Sequence, residues 1–251
     1  MSKKILWLIG GSNGIGLSLV ELLLKRGDRV IVSARNTQNS KELNKLKSEY
    51  ATALHLLDMD VSQTHSVAYA TQKAWSIYGG VDTCLYNAGV YESMKIEEWD
   101  LEHFISMNQV NYVGALRVLN EIVPLFIEQG RGHIAFNASI SSYFGLPYGG
   151  GYSAPKAALL NLCESLKPEL DAKNIYIQVI NHGFVKTRLT AKNEFEMPQL
   201  LEPDEAAKKI YEGLQTPKKF EIKFPWALTR FLHFLRIIPY SLAFRITKGA
   251  L

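Results

Sequence analysis

Residues 5–27 read ILWLIGGSNGIGLSLVELLLKRG: an apolar run, a glycine-rich turn, then apolar residues at helical spacing up to a second glycine. The run Ile5–Ile9 is short and carries no charge, as a strand buried on both faces must be. Val20, Leu23 and Leu24 recur on one side of a helix. Between them, Gly10, Gly14 and Gly16 have the spacing GxxxGxG. Glycines at a strand-to-helix turn let the backbone fold back tightly and approach a pyrophosphate, which the free N–H groups and dipole of the helix N-terminus attract. A tight turn that binds nothing has the same composition, and the spacing departs from GxGxxG.

The same alternation runs outward along the chain. RVIVSA (29–34), ALHLLDMD (53–60), VDTCLYNAG (81–89), GHIAFNAS (132–139) and IYIQVINHG (175–183) read as strands, and the amphipathic segments between them as helices. Six strands precede residue 184, with a last one in KFEIKF (219–224). Strands separated by helix-length segments predict βαβ units and an α/β, doubly wound parallel sheet, Rossmann-like. No repeat or linker divides the 251 residues, so the expectation is one domain, 1–251, with a core over about 4–224 and a C-terminal helical tail over about 225–251.

The net charge of +4 is concentrated in residues 216–251, which hold seven Lys/Arg against one acid and leave 21 basic and 23 acidic side chains, a net of −2, in the rest. A nucleic-acid-binding core is not expected. Cys84 and Cys163 are too few for a disulfide framework and too scattered for zinc, and no metal is expected. MSKKILWLIGG lacks the h-region and cleavage site of a signal peptide, and no eighteen-residue uncharged apolar run occurs. A cytoplasmic protein without a transmembrane helix is expected.

At the end of strand two, where an NAD binder places an acid on the ribose, stand Ala34 and Arg35. A guanidinium there pairs bidentately with a 2′-phosphate, which predicts NADP(H) in preference to NAD(H). Asp60, read as the end of strand three, is placed either to accept from an adenine amine or to cap the next helix. Further on, in NASISSYFGLPYGGGYSAPK (137–156), Tyr152 lies thirteen residues after Ser139 and four before Lys156. One helical turn puts the phenol and the ammonium on one face. Lowering a tyrosine pKa from near 10 to about 7 requires roughly 4 kcal/mol of preferential anion stabilisation, which a neighbouring cation is expected to supply.

The ordered set GxxxGxG at Gly10–Gly16, NAG at Asn87–Gly89, Asn111 in NQVNYVGAL, Ser139 and YxxxK at Tyr152–Lys156 closely resembles the short-chain dehydrogenase/reductase family over about residues 4–224. The resemblance implies an oxidoreductase that moves hydride between a nicotinamide cofactor and a carbonyl or secondary alcohol. Tyr152 would exchange the proton with the substrate oxygen, Ser139 would polarise that oxygen, and Lys156 would lower the Tyr152 pKa and bind the nicotinamide ribose. Asn111 would hold a water linking Lys156 to solvent. Gly10, Ser12, Asn13, Gly14, Ile15 and Gly16 would surround the pyrophosphate, and Arg35, Asp60 and Val61 the adenosine. Asn87, Ala88 and Gly89 would line the middle of the cofactor, while Gly183, Val185 and Thr187 would face the nicotinamide. A homodimer or homotetramer is implied, through helices at about 108–129 and 152–172.

Departures from the family pattern are Ile9 for Thr, Tyr86 for Asn, and His182 before Gly183 in place of Pro. Asn13 stands where many NADP-preferring members carry Lys or Arg, which weakens the NADP(H) expectation. His182 is either a functional acid or a structural residue. Phe184, Leu189, Phe195 and Met197 give the loop after strand six an apolar character, so the substrate is expected to be apolar, with a lipid or acyl reductase as the alternative to a small-carbonyl reductase. A non-catalytic NADP(H)-sensing protein is the alternative from another class. Gly149–Gly151 are expected to leave one wall of the pocket bare.

The tail FPWALTRFLHFLRIIPYSLAFRITKGAL (224–251) is not explained by the dinucleotide fold. On a helical wheel from Trp226 to Ile238, Thr229, Arg230, His233 and Arg236 share one side, and the rest is too apolar for free solution. The substrate pocket, a second subunit, a membrane surface or the parent domain are the candidate partners.

Overall fold

The structure is a computed structural model and describes residues 3–193 and 195–249. Glu194 of the loop after strand six and the last two residues of the tail lie outside the described residues. Seven strands form one parallel sheet in the order β3-β2-β1-β4-β5-β6-β7. They are β1 (Ile5–Ile9), β2 (Arg29–Ala34), β3 (Leu54–Asp58), β4 (Thr83–Tyr86), β5 (Gly132–Asn137), β6 (Ile175–His182) and β7 (Glu221–Phe224). Strand three thus stops at Asp58 and not at Asp60. The Asp58 carboxylate accepts from the N–H and hydroxyl of Thr37 (2.7 and 2.6 Å), which turns the chain after β2 and closes the edge at that point.

Two apolar layers sandwich the sheet, and strand alternation sorts residues between them. Trp7, Ile9 and Ile31 face α3 (Thr64–Tyr78), α5 (Gly114–Gln129) and α6 (Gly150–Asp171), while Leu6, Leu8, Val30 and Val32 face α1 (Gly14–Lys25), α2 (Lys41–Glu49) and α7 (Pro203–Leu214). Burial on both sides explains why the strands read as uninterrupted apolar runs. Cys84 and Cys163 are free and buried in the first layer, where loss of water raises both thiol pKa values and leaves them inert.

A short helix α4 (Leu101–Asn108) continues through a π turn at Gln109–Val113 into α5. The stretch 101–129 is long and apolar enough to cross a bilayer, yet Ala115, Val118, Ile122 and Phe126 are fully buried against the sheet. The tail forms α8 (Trp226–Ile237) and α9 (Tyr240–Lys248), broken at Pro239. Leu232, Leu235 and Ala243 pack on Ile140, Tyr143 and Phe144, so the tail lies on the parent domain beside the loop after β5. Thr229 is on the buried side, contrary to the wheel, because its hydroxyl donates to the Pro225 carbonyl at 2.8 Å and its polarity is satisfied within the helix.

Candidate active site

Strand order reverses between β1 and β4, and the loops leaving their carboxyl ends diverge there. The crevice widens into a cleft of about 830 Å³ bordered by the ends of β1, β2, β4, β5 and β6. Its first border is the turn read from the opening stretch. Gly10 has φ +90°, and a Cβ there would sit 2.5 Å from the Ala88 backbone nitrogen. A Cβ on Gly16 would sit 2.3 Å from the Gly10 carbonyl oxygen. Only glycine lets β1, β4 and α1 approach so closely.

The N-terminus of α1 opens on this cleft. Asn13 precedes the helix without capping it, since its amide donates to the Ser12 hydroxyl (3.1 Å), and no acid stands in the first turn. The first-turn N–H groups are left for an anion, which fits a cofactor pyrophosphate. Gly10, Ser12, Asn13, Gly14 and Ile15 line the cleft, whereas Gly16 supports it from beneath. Beyond the ends of β2 and β3, Arg35, Asp60 and Val61 also line it. Arg35 is exposed. Asp60 accepts from the backbone and hydroxyl of Ser62 (2.9 and 2.7 Å) and so fixes the turn before α3, whose own cap position is Gln63. The capping alternative for Asp60 therefore falls one turn short of the helix.

Asn87, Ala88 and Gly89 follow β4 along the cleft. A hydrogen-bonded chain ties this loop to both neighbours: Asn87 donates to the Gly10 carbonyl (2.7 Å), and Asn137 donates to the Asn87 side chain (2.6 Å). The Asn137 carbonyl in turn accepts from Lys156 Nζ at 2.7 Å. Asn137 was not among the residues singled out from sequence, and its Oδ1 is buried without a partner among the described residues. The signal was present as a polar residue ending a buried parallel strand, level with Asn87 just after β4.

Ser139, Tyr152 and Lys156 come together at the floor of the cleft. Ser139 leaves β5 in extended backbone and its hydroxyl accepts from the Ser141 N–H (3.2 Å), which starts a short 3₁₀ turn at Ile140–Ser142. Tyr152 and Lys156 stand one turn apart near the start of α6, with Nζ 5.6 Å from the centre of the phenol ring. Tyr91 packs edge-on against that ring at 5.0 Å. The expected lowering of the Tyr152 pKa is not found: burial pushes it up to about 12, and only the Ser139 hydroxyl acts the other way. The physical reason lies in Lys156, whose own burial brings its amine down to about 7 and which donates to the Asn137 carbonyl. At neutral pH the tyrosine is held as the neutral acid.

Asn111 is buried in the π turn and does not line the cleft. Its side chain clasps Val90, donating to the carbonyl (2.8 Å) and accepting from the N–H (3.1 Å), which sets the loop after Gly89. The departure at Tyr86 supports the same turn, since its buried phenol donates to the Val110 carbonyl at 2.5 Å. His182, the last residue of β6, also reaches the cleft wall. Burial brings its pKa down to about 4, so it is neutral, with Nδ1 2.7 Å from the Gly183 carbonyl.

Gly183, Val185 and Thr187 form the edge opposite the glycine turn. Thr190 organises this loop, donating to the Val185 carbonyl (2.6 Å) and accepting from the Thr187 N–H (3.0 Å). The outer part of the cleft is apolar. Phe184, Leu189 and Phe195 line it as expected, whereas Met197 does not, its sulfur accepting from the amide of Asn193. Of the three glycines only Gly149 faces the cleft, because Gly151 is jammed against Met107 at the start of α6. Leu228, Phe231 and Leu232 of α8 complete the wall, so the tail covers part of the pocket.

The chain is similar to curated and solved proteins. An uncharacterized oxidoreductase of Myxococcus xanthus is 28% identical over 96% of this chain and 95% of its own length. Among solved structures, a short-chain dehydrogenase from Streptomyces avermitilis superposes with a TM-score of 0.84 over the whole of both chains at 24% identity. An alcohol dehydrogenase from the archaeon Thermococcus sibiricus, complexed with 5-hydroxy-NADP, does so with a TM-score of 0.80 at 26% identity, covering 90% of this chain and 98% of that one. The family model described as short chain dehydrogenase matches residues 4–197, and with the glycine turn, Ser139, Tyr152 and Lys156 on one cleft, the chain belongs to the short chain dehydrogenase family.

Proposed function

We propose that the protein is an NADP(H)-dependent reductase of apolar carbonyl compounds, or the corresponding alcohol dehydrogenase. The observation that carries this reading is the convergence of Ser139 and a neutral, half-buried Tyr152 on the floor of a cleft whose other end is an uncapped helix N-terminus. The nicotinamide, when bound, supplies or accepts the hydride. In the reductive direction Ser139 donates a hydrogen bond to the substrate oxygen, and Tyr152 gives that oxygen its proton. In this reading Lys156, held by the Asn137 carbonyl, returns a proton toward Tyr152 and binds the ribose, and Asn111 keeps the adjoining backbone in register through Val90.

The apolar outer wall, with Tyr91, Phe184, Leu189, Phe195 and Phe231, favours substrates with an aliphatic or aromatic body over small polar ones, and accommodates an acyl or lipid chain as a second reading. A screen of NADPH oxidation over aldehydes, ketones and acyl thioesters of graded chain length tests both. Turnover is expected to increase with chain length, and cofactor binding with no oxidation anywhere in the panel would favour a sensor instead.

Cofactor choice rests on Arg35. Among the described residues it has no ion-pair partner and it stands on the cleft at the end of β2, where a 2′-phosphate would be met. The relative complexed with 5-hydroxy-NADP supports the same preference. Arg35→Ala is expected to weaken NADPH binding about tenfold or more and leave NADH nearly unchanged, since a charge-assisted pair contributes roughly 1.5–3 kcal/mol. Equal losses for both cofactors, measured by fluorescence titration, would make Arg35 structural. Assembly as a homodimer or homotetramer through the outer faces of α5 and α6 is part of this reading, and a monomer in light scattering at micromolar concentration contradicts it.

A further inference from the structure

Helices α8 and α9 bury one side and leave the other bare. At 100° per residue, Leu228, Thr229, Leu232 and Leu235 fall on the side of α8 that meets the body of the protein. Trp226, Arg230, Phe234 and Ile237 fall opposite, and Trp226 is 70% and Ile237 81% exposed. On α9 only Ala243 is buried, while Tyr240, Phe244 and Lys248 follow one another at successive turns, the two rings stacked at 5.5 Å and each more than half exposed. Half of the large hydrophobic side chains exposed among the described residues lie between Trp226 and Ile246, under a tenth of the chain. This is a concentration, and single exposed residues scattered over a surface would not produce it.

The charge of the patch is of one sign. Arg230, Arg236, Arg245 and Lys248 are exposed, no Asp or Glu occurs after Glu221, and among the described residues none of the four forms an ion pair. Arg230 lies over the Trp226 ring at 4.7 Å, so cation and aromatic ring are presented together. From these features we propose that the bare face of α8–α9 docks on the surface of an anionic lipid bilayer. Aromatic and aliphatic side chains enter the headgroup boundary while the flanking cations meet lipid phosphates. A second copy of the chain is a poorer occupant, because a two-fold contact sets the patch against itself and brings eight cations together with no acid to offset them. The inner edge of the same helix supplies Leu228, Phe231 and Leu232 to the cleft, and Phe231 is also part of the exposed set, so docking brings one wall of the pocket to the lipid.

The test is co-sedimentation of the full chain with vesicles of phosphatidylcholine, with and without phosphatidylglycerol. Phosphatidylglycerol is expected to strengthen binding at least about tenfold at low ionic strength, and raising salt to about 0.5 M to release most of the protein, because screening shortens the reach of the cations. Two independent variants on exposed positions, Trp226→Ser with Phe234→Ser and Ile237→Ser, and Arg230→Glu with Arg245→Glu, are each expected to reduce vesicle binding about tenfold or more without changing the thermal melt. Absence of binding to anionic vesicles at low salt overturns the proposal. Binding that both variants retain places the lipid contact elsewhere and overturns it too. Loss of a dimer in light scattering, with no vesicle binding by the parent chain, assigns the face to a second copy instead.

Discussion

Tyr152→Phe is expected to lower carbonyl turnover at least about a hundredfold while NADPH affinity stays within about twofold. The substitution removes the phenolic oxygen alone and leaves the ring that Tyr91 packs against edge-on. General acid catalysis by a positioned group contributes about 10²–10⁴-fold, and Tyr152 is the phenol that the Ser139 hydroxyl bonds. Tyr91 is the informative control: it lines the same cleft, and burial raises its pKa as well. If Tyr91→Phe abolishes turnover and Tyr152→Phe does not, the donor has been misassigned. The pH dependence follows from the direction of the Tyr152 shift. A phenol held up at about 12 is protonated through the neutral range, so reduction should show no alkaline loss from this group below about pH 10. Oxidation of the alcohol needs the phenolate and should rise with pH across the same range.

How much of this was legible in the sequence depended on whether the controlling interaction was local. The strand-turn-helix of residues 5–27 was readable because glycine spacing and apolar periodicity both act within a few residues, and the doubly wound sheet followed from repeating the same unit. Tyr152 and Lys156 were readable for the same reason, being one turn apart on α6. Asn137 was not, because its importance comes from contacts with Asn87 and Lys156, and through Asn87 with Gly10, that different elements bring together. The end of β3 was misplaced by two residues since Asp58 is fixed by Thr37, which approaches only once β2 and β3 have paired.

Tail burial shows the converse case. A helical wheel ranks residues by polarity and so assigned Thr229 to the wet side with Arg230 and His233. In the fold, a hydroxyl that bonds its own helix backbone is no obstacle to packing, whereas Trp226 and Ile237 stay exposed because the body of the protein meets the opposite side of α8. Hydrophobicity set the amount of surface to be covered, and the direction from which β7 delivers the chain set which part of it was. The Lys156 pKa belongs with the nonlocal effects too. Sequence spacing placed a cation beside a phenol, but the degree of burial decided that the cation itself would be hard to keep.

That burial leads to a measurable cost of folding. Lys156 has its pKa brought down from an ordinary lysine value to about 7, so between those two values the unfolded chain binds a proton that the native chain does not. Stability from this group is therefore fully present only above the unfolded pKa near 10.4 and is lost as pH falls toward 7, with a slope approaching 1.4 kcal/mol per pH unit. Below about pH 7 both states are charged and the loss is complete. Lys156→Met removes the titration. The difference in unfolding free energy, wild type minus variant, is expected to rise by about 3 kcal/mol between pH 7 and 9.5, the upper limit being set below the range where Tyr152 and other phenols begin to titrate in the unfolded chain. Denaturant unfolding at a series of pH values gives that difference directly, and other lysines cancel because they are common to both proteins. The variant also forfeits the hydrogen bond to the Asn137 carbonyl, a loss that does not vary over this range and so shifts the whole curve without tilting it. A flat difference curve would mean that Lys156 keeps its charge in the folded protein, and with it the power to lower the Tyr152 pKa that the one-turn spacing first suggested.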